Sequence, residues 1–471
     1  MSEITSTRSR TCLSMIAITL CLLALTPTAR AQTAWNVPVG NWSVGTNWTG
    51  GEPTSGDVAD INNSGSAQIT AAGETCGGLI LGAAAGQSGD VELSSGSLTS
   101  AGLQHIGYSG HGSFTQTGGD NAVDASGAAV VANQTGSSGV YDLQAGTFSL
   151  AKGHGYAASL VVGGHGDGMF FFGNAAGTGT ITETGAGTTA CWLRVRSNAS
   201  ASGTFQGWGT VSLTGGLQNN GRIVADGYGT DRTLDLSHFT SAWSDIENGT
   251  TNGWFAQYQG RLTLPSITVT SATDTYNWGE GTDDAEIDMV NSVRATYGDV
   301  PEFADLSISL LATDHGAVPA GLPGQAIGVW ELDPGTPWNT MDLTFRYDNM
   351  KADSLGLDES DLRIFHHNSS DWTDVTSSID LTNKRISADD VLHTAGHYAV
   401  AVPEPTTLAL VSLGILGLLL GVGRCWPILK SNRNRTLDRQ RRFRRNTSSK
   451  RERVGQVGRN PLARASSLYW F

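Results

Sequence analysis

Gly139-Val-Tyr-Asp-Leu-Gln-Ala-Gly146 follows Val130-Val-Ala-Asn133, and this pair of segments recurs along the chain. Leu79-Ile-Leu-Gly82 precedes Val91-Glu-Leu-Ser-Ser-Gly-Ser-Leu98, and His105-Ile-Gly107 precedes Gly112-Ser-Phe-Thr-Gln-Thr-Gly118. Leu160-Val-Val-Gly163 precedes Gly179-Thr-Ile-Thr-Glu-Thr-Gly185. Leu193-Arg-Val-Arg-Ser197 precedes Gly203-Thr-Phe205 and Gly209-Thr-Val-Ser-Leu-Thr-Gly215. Each copy is a short apolar strand, a Gly-rich turn, then one or two strands that end in Gly. The anchors fall at 82, 107, 133, 163 and 197, at intervals of 25, 26, 30 and 34 residues. A β-strand repeat of that period is a solenoid, because no single coil can bury its own inward face and stacked coils can. The residues expected inside are Ile80, Ile106, Val131, Val161 and Val195, with Phe114, Tyr141, Ile181 and Phe205. Glycine makes up 61 of 471 residues and charged residues 15%. That composition also fits low-complexity disorder, but the regular apolar beats argue for a packed core.

Outward from the repeats, the chain divides into a cap at 32–75, solenoid repeats at 76–270 and a second β domain at 271–402. The cap carries Trp35, Trp42, Trp48, Pro53, Asp57, Ala59 and Ile61. Three tryptophans in so short a segment could stack on sugars, but closing the end of a solenoid core is the reading taken here. After about 270, Gly gives way to Asp, Leu and Pro. Met341–Tyr347 and Asp361–His366 alternate clearly. Strands at this spacing imply an antiparallel β-sandwich, similar to the Ig-like C-terminal domains of bacterial surface proteins. The fold class expected is therefore all-β: a parallel β-helix followed by an antiparallel sandwich, plus one C-terminal transmembrane helix.

Both chain ends carry addresses. Arg8 and Arg10 precede the apolar run Cys12–Leu25, and Ala29-Arg-Ala31 is an A-x-A cleavage site. Residues 1–31 are read as a signal peptide, with the mature chain starting at Gln32. At the other end, Pro403-Glu404-Pro405 leads into Thr406–Gly423, 18 residues without a charge, followed by Arg424. As a helix that span is about 27 Å long, enough for a thin bilayer. These residues resemble the PEP-CTERM sorting signal, also called an ice-binding protein C-terminal domain, a label that implies nothing about ice. The resemblance implies recognition by an exosortase-type processing protease at 403–428. It also implies association with extracellular polysaccharide and biofilm. The repeats are similar to the glycine-rich β-helical repeats of autotransporter-type and other PEP-CTERM surface proteins. A plain membrane anchor through 406–423 is the alternative. The basic tail 429–471 departs from the family, whose members stop a few residues after the first arginines.

Charge supports export. Residues 424–471 hold 14 Lys and Arg against 2 Asp and Glu, whereas 32–402 hold 12 against 39. The basic block is expected in the cytoplasm, as a disordered tail, and the acidic body outside. An acidic surface excludes nucleic acid as a partner. The body keeps only Cys76 and Cys191. With about four turns of roughly 4.8 Å between them, they are expected not to pair.

Catalytic chemistry is not expected, and neither a cofactor nor a metal. The acids of the repeats, Asp90, Glu92, Asp120, Asp124, Asp142, Asp167 and Glu183, do not recur at one phase. His105, His111, His154 and His165 fall in Gly-rich turns and read as solvated rather than as a metal stack. His366 and His367 occupy opposite faces of one strand, leaving one of them exposed. Asp283, Asp284, Glu286 and Asp288 suit calcium by composition but match no EF-hand spacing. No strict T-x-T array for ice binding recurs. The function expected is that of an exported, envelope- or matrix-associated structural or adhesive protein. The alternative is an extracellular polysaccharide lyase or glycosidase on the same scaffold. Convergent carboxylates in a cleft would favour the enzyme, and a smooth Thr/Ser/Asn face the structural protein.

Overall fold

Ser138–Leu143 alternates half-buried and buried residues, turning Gly139, Tyr141 and Leu143 inward. His111–Gln116 and Asp167–Phe172 show the same period of two. Such strands cover a core with one face only, so each needs neighbours above and below. The computed structural model describes residues 31–124, 127–153, 159–198, 201–229, 231–239, 253–269, 275–277, 292–298, 304–335, 338–393 and 395–403. Just over half of these residues are β-strand, and the one α-helix among them is short, Asn349–Ser354.

Strands up to Thr263 wind into stacked coils whose equivalent strands pair in parallel and build three sheets. The third coil, for example, places Gly78–Leu81 in the first sheet, Ser88–Leu93 in the second and Ser97–Ser100 in the third. The segment 32–75 is part of this winding. Ala31–Ala34 and Val39–Asn41 form coil 1, and Asp57–Ile61, Gly65–Ile69 and Glu74–Cys76 form coil 2. Counting on, Ser138–Leu143 lies in coil 5, Asp167–Phe172 in coil 6, Ala201–Gly207 in coil 7, Arg222–Asp226 in coil 8 and Trp254–Gln259 in coil 9.

The corner after each first-sheet strand is fixed by one hydrogen bond to the coil below. The amides of Gly82, Gly107, Ala132, Gly163 and Arg196 bond to the carbonyls of Ile61, Leu81, Ile106, Val131 and Val162 at 2.8–3.1 Å. Ala132 and Arg196 thus take the anchor positions expected for Asn133 and Ser197. The corner is left-handed at Gly82, Gly107, Ala132 and Gly163, and Ala132 adopts it at φ 59° despite its Cβ; at Arg196 it is not. Alternation carries the one-residue difference to every side chain. Ile80 and Val161 align with His105 and Val130 on the outer face, while Leu79, Leu81, Leu160 and Val162 point inward. The second-sheet strand of coil 6 is Asp167–Phe172; Ile181 belongs to the third sheet, between Phe148 and Val211.

Two columns hold the second sheet to the core. Phe114, Tyr141, Phe170 and Phe205 are stacked in sequence, with ring centroids 4.7, 4.8 and 5.2 Å apart. Two residues before each lies a glycine, and Gly65, Gly89, Gly112, Gly139, Gly168 and Gly203 are register partners in one unbroken line. A methyl on Gly139 would overlap the carbonyl of Ile106 and lie 2.6 Å from the amide nitrogen of Ala132. The line therefore lets the corner of the first sheet close against the second. Below Tyr141 the core carries one polar layer. Gln104 and Asn121 exchange amide bonds at 2.9 and 3.0 Å. Asn121 donates to the Tyr141 hydroxyl at 2.9 Å, which donates to Gln116 at 2.7 Å. The Gln116 amide ends the chain on the Gly119 and Thr147 carbonyls. A satisfied layer of this kind costs little and specifies which coils stack.

Trp35, Trp42 and Trp48 close the first end. Trp48 packs edge-on to both of the others at 4.8 Å, and its indole donates to the Trp42 carbonyl at 2.8 Å. The loop carrying Trp48 also covers the free edge of Ala31–Ala34. Thr49 donates to the Ala34 carbonyl, Asn36 to the Asn47 carbonyl, and the Thr33 hydroxyl to the Gly51 carbonyl. At the far end the third sheet does not stop. Arg261–Thr263 pairs antiparallel with Ala304–Leu311, and the sheet continues through Gln325–Asp333, Gly396–Val402, Arg363–His367 and Trp372–Asp374. Fourteen strands thus form one sheet across repeats and terminal domain. A five-stranded antiparallel sheet faces it, with Trp330, Phe345 and Tyr398 in contact between the two.

Among the described residues Glu74 is the one carboxyl turned into the solenoid core, beside Leu98 of the next coil. Burial, with the neighbouring Glu52 carboxylate, pushes its pKa up to about 7. Its folded pKa lies above its unfolded value, so the folded state binds the extra proton between about 4.5 and 7 and stability falls as pH rises through that window. The expected loss from pH 4.5 to 7.5 is about 1–3 kcal/mol. Glu74→Gln is expected to remove this slope and to be the more stable protein at pH 8. Urea unfolding of both proteins at pH 5 and 8 checks it; an unchanged slope in the variant would assign the pH dependence elsewhere.

Candidate functional site

The outer face of the second sheet changes character along the stack. One column reads Gln68, Glu92, Thr115, Asp142, Phe171, Gln206 and Val224 from coil 2 to coil 8. The column beside it reads Ser66, Asp90, Ser113, Val140, Met169, Thr204 and Arg222. Coils 2–4 therefore present small polar and acidic groups. Coils 5–8 present apolar and aromatic side chains among them, and Met169 is 38% exposed.

Within coils 5–8 two carboxylates are each paired with a glutamine amide. The Gln144 amide donates to the Asp142 carboxylate at 2.6 Å, and the Gln206 amide to the Asp226 carboxylate at 2.9 Å. Asp142 and Gln206 are the register neighbours of Phe171 on either side. Trp208 follows Gln206 by two residues. Its indole donates to the Asn174 carbonyl at 3.0 Å, and the Arg232 guanidinium lies 4.4 Å over its ring. Arg232 is itself held by the carbonyls of Asn174 and Ala175 at 2.9 and 2.8 Å. Tyr228 completes the patch. It is 43% exposed, at φ 46°, with its amide donated to Asp226. Partial burial raises its pKa, and the Asp226 and Asp142 carboxylates raise it further. Two carboxylates, two amides and three aromatic side chains thus stand on or beside the outer face of coils 5–8, with Phe171 in the Asp142–Gln206 column and Trp208 and Tyr228 further along, past the ends of their strands.

Glu92 and Asp142 share a column, separated by Thr115. Asp90 sits beside Glu92 on one strand face, and burial, then the Glu92 charge, raises its pKa. Glu183 is engaged elsewhere, by Lys152 at 2.8 Å, by the Thr214 hydroxyl and by the Cys191 amide at 3.1 Å. Cys76 and Cys191 form no disulfide and both are buried. Desolvation, with the Glu183 charge, pushes the Cys191 thiol up to about 12, which removes it as a nucleophile.

The turn histidines do not stack. His105 is on the outer face of the first sheet between Ile80 and Val130, packed on Tyr108, and burial lowers its pKa to about 4. His111 pairs with the Ser138 hydroxyl at 2.5 Å, and His165 is exposed. His154 and the acidic cluster 283–288 lie outside the described residues. His366 turns inward and stacks on Tyr398 at 4.4 Å, and His367 faces out against Trp372. Among the described residues no three His, Cys, Asp or Glu side chains are placed to hold a metal ion.

Of the sorting and cleavage residues, Ala31 opens the first strand and Pro403 follows directly on Gly396–Val402. Ala29, Glu404, Pro405, Arg424 and the span 406–423 lie outside the described residues, among which no helix is long and apolar enough to cross a membrane. The Phe171–Trp208–Tyr228 patch was missed from sequence because its members are 37 and 20 residues apart. Only the winding puts them on neighbouring coils, and the one local signal is Tyr228 between Gly227 and Gly229. No protein-family model, curated protein or solved structure matches the chain.

Proposed function

We propose that this is an exported structural or adhesive protein of the bacterial cell surface or extracellular matrix. It is a β-helical rod ending in an Ig-like sandwich, held by a C-terminal transmembrane helix until an exosortase-type protease acts near Pro403-Glu404-Pro405. The observation that carries this reading is the fourteen-stranded sheet joining repeats and terminal domain. Its strand Gly396–Val402, third from one edge, ends immediately before Pro403. Cleavage at the motif would leave every ladder of that sheet intact, and a continuous sheet suits a load-bearing strut better than a hinged pair of domains. The acidic body and the polysaccharide association implied by the sorting signal fit the same role.

The test is fractionation of envelope and matrix in the native organism, with mass spectrometry of the C-terminal peptide. A terminus at 403–405 in the matrix is expected. An intact chain ending in the basic tail, found only in the inner membrane, would replace sorting by plain anchoring.

A second reading, an extracellular carbohydrate-active enzyme, draws on Asp142 and Asp226, which both act on Tyr228. Each is already paired with a glutamine amide, which suits binding better than proton transfer. Release of reducing ends from a polysaccharide, abolished by Asp142→Asn, would favour the enzyme.

A further inference from the structure

We infer that the loop 312–318 is an acid-released latch between the terminal domain and the last solenoid coils, with His315 as its trigger. The inference goes beyond the surface-protein reading and does not depend on it. The loop follows Ala304–Leu311, the strand that pairs with Arg261–Thr263 of the last coil. Two backbone amides hold it on the solenoid. Ala312 donates to the Gly260 carbonyl at 2.7 Å, and Gly316 donates to the Asp231 carboxylate at 3.0 Å. His315 lies between these two anchors and is 9% exposed. Its Nδ1 accepts the Ala317 amide at 3.1 Å.

An imidazole nitrogen accepts a hydrogen bond only while it carries no proton. The Ala317 bond therefore requires the neutral ring with its hydrogen on Nε2, and Nε2 is buried without a hydrogen-bond partner. Charging the ring puts a second hydrogen on Nδ1, donor against donor with the Ala317 amide. Relief requires the 315–317 turn to open, and Gly316, whose amide docks on Asp231, is the middle residue of that turn. The surrounding charges pull in both directions. Burial opposes the charged ring most, Asp231 favours it, Arg261 opposes it, and Glu331 and Asp314 favour it; the net pKa lies below the ordinary histidine value. The folded ring thus binds its proton less readily than the unfolded one. The latch is closed above about pH 6.5 and loses stability as pH falls below it. Neither the Arg261–Glu331 ion pair at 2.6 Å nor the ladder between Arg261–Thr263 and Ala304–Leu311 includes His315. Release therefore frees the loop while the sheet stays joined.

The experiment is hydrogen exchange read by mass spectrometry on the full chain in detergent, at pH 7.5 and pH 5, compared as protection factors. The peptide covering 312–318 is expected to lose protection about fivefold or more at pH 5, relative to the 138–143 strand of coil 5. His315→Asn keeps a side-chain acceptor for the amide two residues on and removes the titration. It is expected to match the parent at pH 7.5 and to hold that protection within about twofold at pH 5. His315→Ala has no acceptor and is expected to be open at both pH values. Unchanged protection of 138–143 in each variant shows that the coils are intact. The inference falls if 312–318 of the parent is equally protected at both pH values, or if His315→Ala is as protected as the parent at pH 7.5. It falls equally if His315→Asn opens at pH 5 as the parent does, which would assign the pH dependence to another group.

Discussion

Gly139→Ala is expected to lower the melting temperature by about 4 °C or more, corresponding to a loss of about 3 kcal/mol or more. The added methyl would overlap the Ile106 carbonyl and crowd the Ala132 amide nitrogen at 2.6 Å. Those two groups form the corner hydrogen bond, at 2.8 Å, that joins coil 4 to coil 5. Neither is a flexible side-chain end, so relief requires the first sheet to move away from the second, and close packing on Tyr141 opposes that. The control is Gly136→Ala, where the added Cβ has nothing within 4 Å and the strain comes from φ 79°, a conformation Gly139 does not adopt. Its cost is conformational, about 1 kcal/mol. Thermal unfolding by circular dichroism separates the two. Equal melting temperatures would mean that the glycine line is only a chain of turns and not a contact surface.

Trp48→Ala is expected to cost about 3–5 kcal/mol and to make the protein self-associate. The ring is 3% exposed, meets Trp35 and Trp42 edge-on at 4.8 Å, and satisfies the Trp42 carbonyl at 2.8 Å. Its loss leaves a cavity and an unpaired carbonyl, and it unfastens the loop that bonds to the Ala34 and Thr33 edge. Unpaired strand groups at the end of the stack would then be available to another chain. Sedimentation at two concentrations is expected to show heavier species in the variant than in the parent. A destabilised variant with the parent's mass would show that the tryptophans support the core without protecting the edge.

How much of this was readable in advance follows the range of each interaction. The G-x-aromatic beats at 112–114, 139–141 and 203–205 are local, and they announced stacked β-coils with an inward aromatic column. Gly168-Met-Phe170 carries the same pattern, but the coil lengths drift and the Gly-bounded strand 179–185 fits the beat equally well by sequence alone. The anchors assigned to Asn133 and Ser197 were one residue late. At a period of two, that error sends Ile80 and Val161 to the wrong face. Residue identity alone does not show that Ala132 accepts a left-handed corner; the coil below imposes it through the Ile106 carbonyl.

The candidate site was less readable than the core. Asp142 and Glu92 were seen, and they do share a column, yet Asp226 and Tyr228 come from coil 8 and reach Asp142 only through winding. The continuity of the third sheet into the terminal domain was likewise invisible, since Arg261–Thr263 and Ala304–Leu311 are distant in the chain and their pairing is antiparallel where the earlier pairings within that sheet are parallel. The sequence by itself determined what alternation and glycine spacing can encode: an all-β chain, a repeating coil and an apolar interior. Only the tertiary structure decided which outward side chains become neighbours, how the glycine line seats one sheet on another, and where repeats and terminal domain fuse. Inward burial is dictated by local pattern, whereas surface neighbours depend on the summed lengths of all the turns between them.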